Sequence, residues 1–199
     1  MKKITIVDYG SGNVLSAQKS FIKIAKDNNI EADVLISKKL SDVKNSTHIV
    51  LPGQGAFSTC MNGLKETDGL IDELCEFALI KKKPFLGICV GMQMLAKISE
   101  ENGIHEGLGW INGQIKLLPD NNLKLPHMGW NLVIPTNSKY NNLILTKNDY
   151  YFVHSYYFDC DDKDNILAET KYGTNFASII GKENIYGVQF HPEKSSSQG

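Results

Sequence analysis

The chain contains no arginine; all 21 of its basic residues are lysine. Arginine supplies the planar fork that grips phosphate or carboxylate through two parallel hydrogen bonds. A phosphorylated ligand held by this chain alone would therefore depend on lysines and backbone amides. The lysines balance 22 acidic residues to a net charge of −1, which gives no support to a nucleic-acid or anionic-membrane partner. No window approaches a membrane span. The apolar run in MKKITIVDYG is too short for a signal peptide and reads as a first strand. The cysteines Cys60, Cys75, Cys89 and Cys160 form no C-x-x-C pair and show no metal-ligand spacing with the five histidines. Neither a metal nor a cofactor is expected, and a reduced, cytoplasmic setting is the economical reading. Linkers, internal repeats and low-complexity segments are missing as well.

What is present suits a single domain. At 199 residues, with 42% hydrophobic and 22% charged residues, the chain can bury a sizeable core. KITIVDYG, EADVLIS, THIVLPG and PFLGIC read as strands, with helices expected from Asn13 to Lys26, Phe57 to Leu64 and Leu70 to Ile80. That alternation predicts a parallel sheet with covered faces. From about residue 110 the texture changes to short aromatic and β-branched runs, namely INGQIKLL, NLVIP, YYFVHSYYF, ILAET, FASII and IYGVQF. They predict a second, partly antiparallel sheet continuing the first. Ligands of open α/β sheets bind at the carboxyl ends of the strands, where Asp8, LPGQG and Cys89 all fall.

The stretch GICVGMQMLA places Cys89 between Gly87 and Gly91, where an apolar strand becomes a helix expected to run on through Met92, Leu95, Ala96 and Ile98. The pattern parallels the G-x-S-x-G nucleophile elbow, with sulfur in place of oxygen. A helix N-terminus also favours thiolate. The competing reading is a buried structural thiol. A cysteine nucleophile needs a base and an orienting group. His48 and His105 read as surface residues, and His127 and His154 as packed, hydrogen-bonded ones. His191, in GVQFHPEKS, directly follows a strand, and Glu193 lies two residues on, which in extended chain is the same side.

GICVGMQ together with FHPE resembles the class I, triad-type glutamine amidotransferases. VDYGSGN, GLGWINGQI, PHMGWN and FHPEKS narrow the resemblance to the branch formed by the glutaminase subunits of imidazole glycerol phosphate synthases. Lys194 after His-Pro-Glu favours that branch over anthranilate synthase and its relatives, which usually carry serine there. The resemblance implies a flavodoxin-like α/β fold: an open, mostly parallel sheet with helices on both faces, extended by a smaller, partly antiparallel sheet. It also implies a closing C-terminal helix, which this sequence is expected to lack.

By the same resemblance, Cys89, His191 and Glu193 form a triad that hydrolyses glutamine to glutamate and ammonia. Val90 and the Gly53–Gln54 segment supply oxyanion donors, and a peptide flip in that glycine-flanked segment acts as a switch. Gln93, Ser155 and Tyr156 bind the substrate, with Tyr157 nearby. A (β/α)8 cyclase subunit receives the ammonia through an internal channel, Trp130 lies at that interface or in the core, and the partner holds the phosphorylated nucleotide. The oxyanion segment departs from the usual Pro-Gly-Val-Gly by carrying Gln54. Two other roles stay open for the same fold: supplying ammonia to a sugar-modifying synthetase, or serving as an inert regulatory module.

Overall fold

A computed structural model describes residues 1–119, 122–136, 146–196 and 199. Strands β1 (Lys2–Val7), β2 (Ala32–Ser37), β3 (His48–Gly53), β4 (Phe85–Cys89) and β13 (Ile185–Val188) pair in parallel in the order β2-β1-β3-β4-β13. The central strands β3 and β4, HIVLPG and FLGIC, are buried almost throughout. Their near-continuous apolar sequence is what a strand covered on both faces requires. Helices α1 (Val14–Asp27), α2 (Leu40–Asn45), α3 (Phe57–Lys65) and α4 (Leu70–Cys75) supply the crossovers, and α4 runs on as a π-helical turn, Glu76–Ile80. Phe57, Phe77 and Phe85 are fully buried between these layers. Each such side chain contributes about 1.5–3 kcal/mol relative to exposure.

Beyond β13 the sheet continues antiparallel through β12 (Thr174–Lys182), β11 (Ile166–Tyr172), β8 (His127–Pro135) and β9 (Asn148–His154), giving nine strands in all. A separate four-stranded sheet has the order β10-β7-β5-β6, from β10 (Tyr156–Cys160), β7 (Gly113–Leu117), β5 (Ile98–Ser99) and β6 (His105–Glu106). The strands expected late in the chain are thus divided. INGQIKLL and the second half of YYFVHSYYF build the small sheet, and the others extend the large one. Ser155 alone separates β9 from β10, so the chain changes sheets at that residue.

The helix after Cys89 is shorter than its periodicity suggests. Helix α5 covers only Val90–Gln93, and Ile98 belongs to β5. The carbonyls that would have continued the helix are taken by a later segment. Leu108 N–H donates to Met94 O, Gly109 N–H to Ala96 O and Ile111 N–H to Leu95 O, at 2.8, 2.9 and 3.1 Å. Tertiary hydrogen bonding has overridden the local period.

Candidate active site

Cys89 ends β4 and caps α5 with φ 54° and ψ −113°. A non-glycine residue held there costs on the order of 1–3 kcal/mol, and three close backbone approaches hold it. A Cβ on Gly91 would lie 1.8 Å from the Leu51 carbonyl oxygen. On Gly87 it would lie 2.5 Å from Gly91 O, and on Gly53 2.5 Å from Gly91 N. The glycines of the G-x-C-x-G pattern therefore let β3, β4 and α5 touch through their main chains. The turn lifts the Cys89 side chain into a cleft of about 360 Å³.

His191 enters the cleft from the end of β13. Its backbone N–H donates to Tyr151 O at 2.9 Å, and the Ser195 hydroxyl donates to its carbonyl at 2.7 Å. The pairing with Glu193 comes from a 3-10 turn, Pro192–Lys194, and not from extended chain. The turn brings His191 Nδ1 to 2.9 Å from Glu193 Oε1, with both side chains only 4% exposed. Nε2 is thereby left as the nitrogen that meets the hydrogen-bonded Cys89 side chain. Burial alone would lower the His191 pKa. The hydrogen bonds and charge of Cys89 and Glu193 outweigh it and raise the value to about 9. A sulfur nucleophile, a protonated imidazole and an orienting carboxylate in line can form and break an acyl-enzyme bond.

Besides Cys89 and His191, the cleft is lined by Val153, His154, Ser155 and Tyr156 and by Val90 and Gln93. Gln93 is buried with its amide turned inward, donating to Tyr156 O and to Gln189 Oε1, both at 3.0 Å. Gln54 and Gly55 line the cleft as well, while Gly53 is packed against the backbone of α5. Both backbone polar groups of Gln54, which belong to consecutive peptides, are occupied. Its N–H donates to Ser11 Oγ at 3.3 Å, and its carbonyl accepts from the Ser11 hydroxyl at 2.6 Å and from Cys60 Sγ at 3.5 Å. Trp130 stands 54% exposed on β8, beside Met128 and Ile134 on the same strand face, so it is no core residue.

Residues 5–199 match the family described as Glutamine amidotransferase class-I. The chain belongs to that family. It is 46% identical to the imidazole glycerol phosphate synthase subunit HisH of Pelagibacter ubique, over 98% of this chain and 94% of that protein. The identity to the Rhodospirillum rubrum subunit of the same name is 43%, over 99% and 94%. To subunit HisH 2 of Methanococcus maripaludis it is 46%, over 98% and 94%. A crystal structure of a glutamine amidotransferase superposes with a TM-score of 0.70 at 16% identity, covering 96% of this chain and 90% of that one. That likeness carries the fold.

Within this glutamine amidotransferase domain, three residues in or behind the cleft escape a reading of the sequence. Glu101 lines it, with its carboxylate accepting from Phe57 N–H at 2.6 Å. Gln189 bridges Gln93 to the sulfur, its Nε2 lying 3.7 Å from Cys89 Sγ. Ser11 holds the Gln54 peptide. Gln189 had a signal, since it stands two residues before His191, and Ser11 lies within the VDYGSGN stretch. Among the described residues, no group of three or more His, Cys, Asp or Glu side chains converges as a metal site. No helix among them is long and apolar enough to cross a membrane.

Proposed function

We propose that this class-I domain hydrolyses glutamine to glutamate and ammonia by way of a Cys89 thioester, and that it supplies the ammonia to a (β/α)8 cyclase subunit in histidine biosynthesis. The observation that carries the chemistry is the strained Cys89 turn facing a buried His191–Glu193 pair. The Cys89 sulfur attacks the carboxamide carbon of glutamine, and the C=O electron pair moves onto oxygen. Collapse of that tetrahedral anion expels the amide nitrogen, which takes a proton from His191 Nε2 and leaves as ammonia. His191, now neutral, removes a proton from water. The hydroxide attacks the thioester, and cysteine leaves with glutamate released. Glu193 holds the ring orientation and stabilises the imidazolium.

Val90 N–H and a peptide N–H of the Gly53–Gln54 segment act as oxyanion donors, each worth roughly 10²–10³ in rate. Glu101 is the acidic side chain lining the cleft and faces the substrate ammonium, while Gln93, Ser155 and Tyr156 shape the remainder. Full-length identity to HisH subunits supports the choice of acceptor. The exposed Met128, Trp130 and Ile134 side chains of β8 support a docking face there, since aromatic anchors are common at interfaces. Free thiols at all four cysteines support a cytoplasmic setting.

Glutamate release is the test, measured for the chain alone, with a cyclase subunit, and with that subunit and its nucleotide ligand, using Cys89→Ala as blank. A rate that climbs only in the full mixture is expected. Three mixtures at the level of the blank would sink the proposal.

A further inference from the structure

An unbroken line of hydrogen bonds runs from β8 to the sulfur of Cys89. Asn131 Nδ2 meets His127 Nε2 at 3.1 Å, His127 Nδ1 meets His154 Nε2 at 3.0 Å, and His154 Nδ1 meets the Tyr156 carbonyl at 2.9 Å. The same carbonyl accepts from Gln93 Nε2, which also reaches Gln189, whose amide nitrogen faces Cys89 Sγ. Chemistry dictates the direction of this line. A carbonyl only accepts, so His154 Nδ1 carries the hydrogen and its Nε2 accepts. His127 Nδ1 must then be the donor, and its Nε2 takes a hydrogen from the Asn131 amide. The second amide hydrogen of Asn131 goes to Lys171 O at 3.1 Å. One tautomer at each ring satisfies every partner.

The rings are also locked in place. His127 is stacked between Phe152 and Tyr172, with centroids at 4.9 and 4.1 Å and interplanar angles of 26° and 25°. His154 meets Phe176 edge-on at 4.9 Å. Burial keeps both rings neutral, lowering their pKa values to about 4 for His127 and about 3 for His154. The fixed point of the line, Tyr156, follows Ser155, where the chain changes sheets. With His154 Nδ1 and Gln93 Nε2 both on its carbonyl, the two lone pairs are used and the peptide plane is set.

We propose that His127 and His154 are positioning residues for glutamine, fixing the Tyr156 carbonyl and through it the Gln93 amide in the cleft wall. Neither ring exchanges a proton with the substrate. The inference rests on the glutaminase reading, so its test has one arm that does not need activity.

In that arm, nitrogen-15 NMR of the imidazoles at pH 7 should show both rings as neutral Nδ1–H tautomers. An Nε2–H tautomer or an imidazolium at either ring would overturn the relay. The second arm is glutamine kinetics on the full chain with its partner subunit. His154→Phe removes the donor to Tyr156 and should raise KM about tenfold, the weight of one lost hydrogen bond. His154→Asn keeps an N–H at the Nδ1 position and should stay within about threefold of the parent. The rate of Cys89 alkylation by iodoacetamide should not move in either variant. Equal KM for parent and Phe variant, or equal damage from Phe and Asn, would refute positioning. Should His154→Phe fail to fold, His127→Phe keeps the ring stack while removing the hydrogen given to His154, and an unchanged KM there refutes it equally. If the parent itself releases no glutamate, the glutaminase reading fails and the NMR arm alone judges the relay.

Discussion

Removing the Ser11 hydroxyl should raise the activity of the chain in the absence of the proposed cyclase subunit. That hydroxyl accepts from Gln54 N–H at 3.3 Å, which ties down the Gly53–Gln54 peptide, and donates to Gln54 O at 2.6 Å, which ties down the next peptide. While the latch is closed, the N–H is engaged and is no donor to an oxyanion. Each bond contributes about 0.5–1.5 kcal/mol net, and the longer one belongs near the lower limit. Freeing the Gln54 N–H breaks only the longer bond, so its loss in Ser11→Ala is worth roughly 0.5–1 kcal/mol, about a two- to fivefold gain in the unlatched population. Cys60 Sγ, at 3.5 Å from the same carbonyl, is too weak a contact to compensate. Turnover without the donor is lower by roughly 10²–10³, so the rate should follow the unlatched fraction. Glutamate release by the isolated Ser11→Ala chain should therefore rise about two- to fivefold at unchanged KM. In the full complex, where the proposed switch would already have released the peptide, the variant should match the parent. An isolated rate that stays level or falls, with Cys89 still alkylated at the parental rate, would refute the latch.

Other consequences can be read from the same geometry. In the proposed mechanism His191 is protonated when ammonia leaves, and its pKa is raised to about 9, so kcat should hold through neutral pH and fall as pH rises through about 9. Glu193→Gln removes one of the influences raising that pKa while burial persists, so the alkaline limb should move to lower pH and kcat should drop roughly 10²–10⁴-fold; a pH profile with an unmoved limb would contradict this. Gly91→Ala drives a Cβ to 1.8 Å from the Leu51 carbonyl oxygen, a backbone collision that should cost at least about 3 kcal/mol in urea unfolding, at or beyond the upper end of ordinary overpacking. His127 and His154 have folded pKa values below the unfolded 6.5. Their contribution to stability is complete above pH 6.5 and is lost as pH falls toward 4 and then 3. From pH 7 to 5.5 the two together should remove about 2 kcal/mol, to be read from urea midpoints against pH. The raised His191 pKa acts in the opposite sense, its stabilisation being full below pH 6.5 and lost as pH rises through about 9.

Local order was written into the sequence wherever neighbouring residues decide it. The strand-to-helix switch at Cys89, the glycines flanking it and the short step from His191 to Glu193 depend on backbone sterics within a few residues, and they appear as a motif. Strands β3 and β4 were legible for a related reason: a strand covered on both faces must be apolar along its length. Tertiary structure decided everything that turns on which distant group claims a hydrogen bond. The segment from Leu108 to Ile111 took the carbonyls that would have lengthened α5. Ser11 took the Gln54 peptide from 43 residues away, and the β8–β9 register set His127 opposite His154. The placing of Glu101 in the cleft and of the late strands in two sheets has the same origin. A backbone amide or an imidazole accepts any well-placed partner, so its own sequence neighbourhood does not name that partner. Only the packing of the whole chain, which must satisfy every buried polar group at once, selects it.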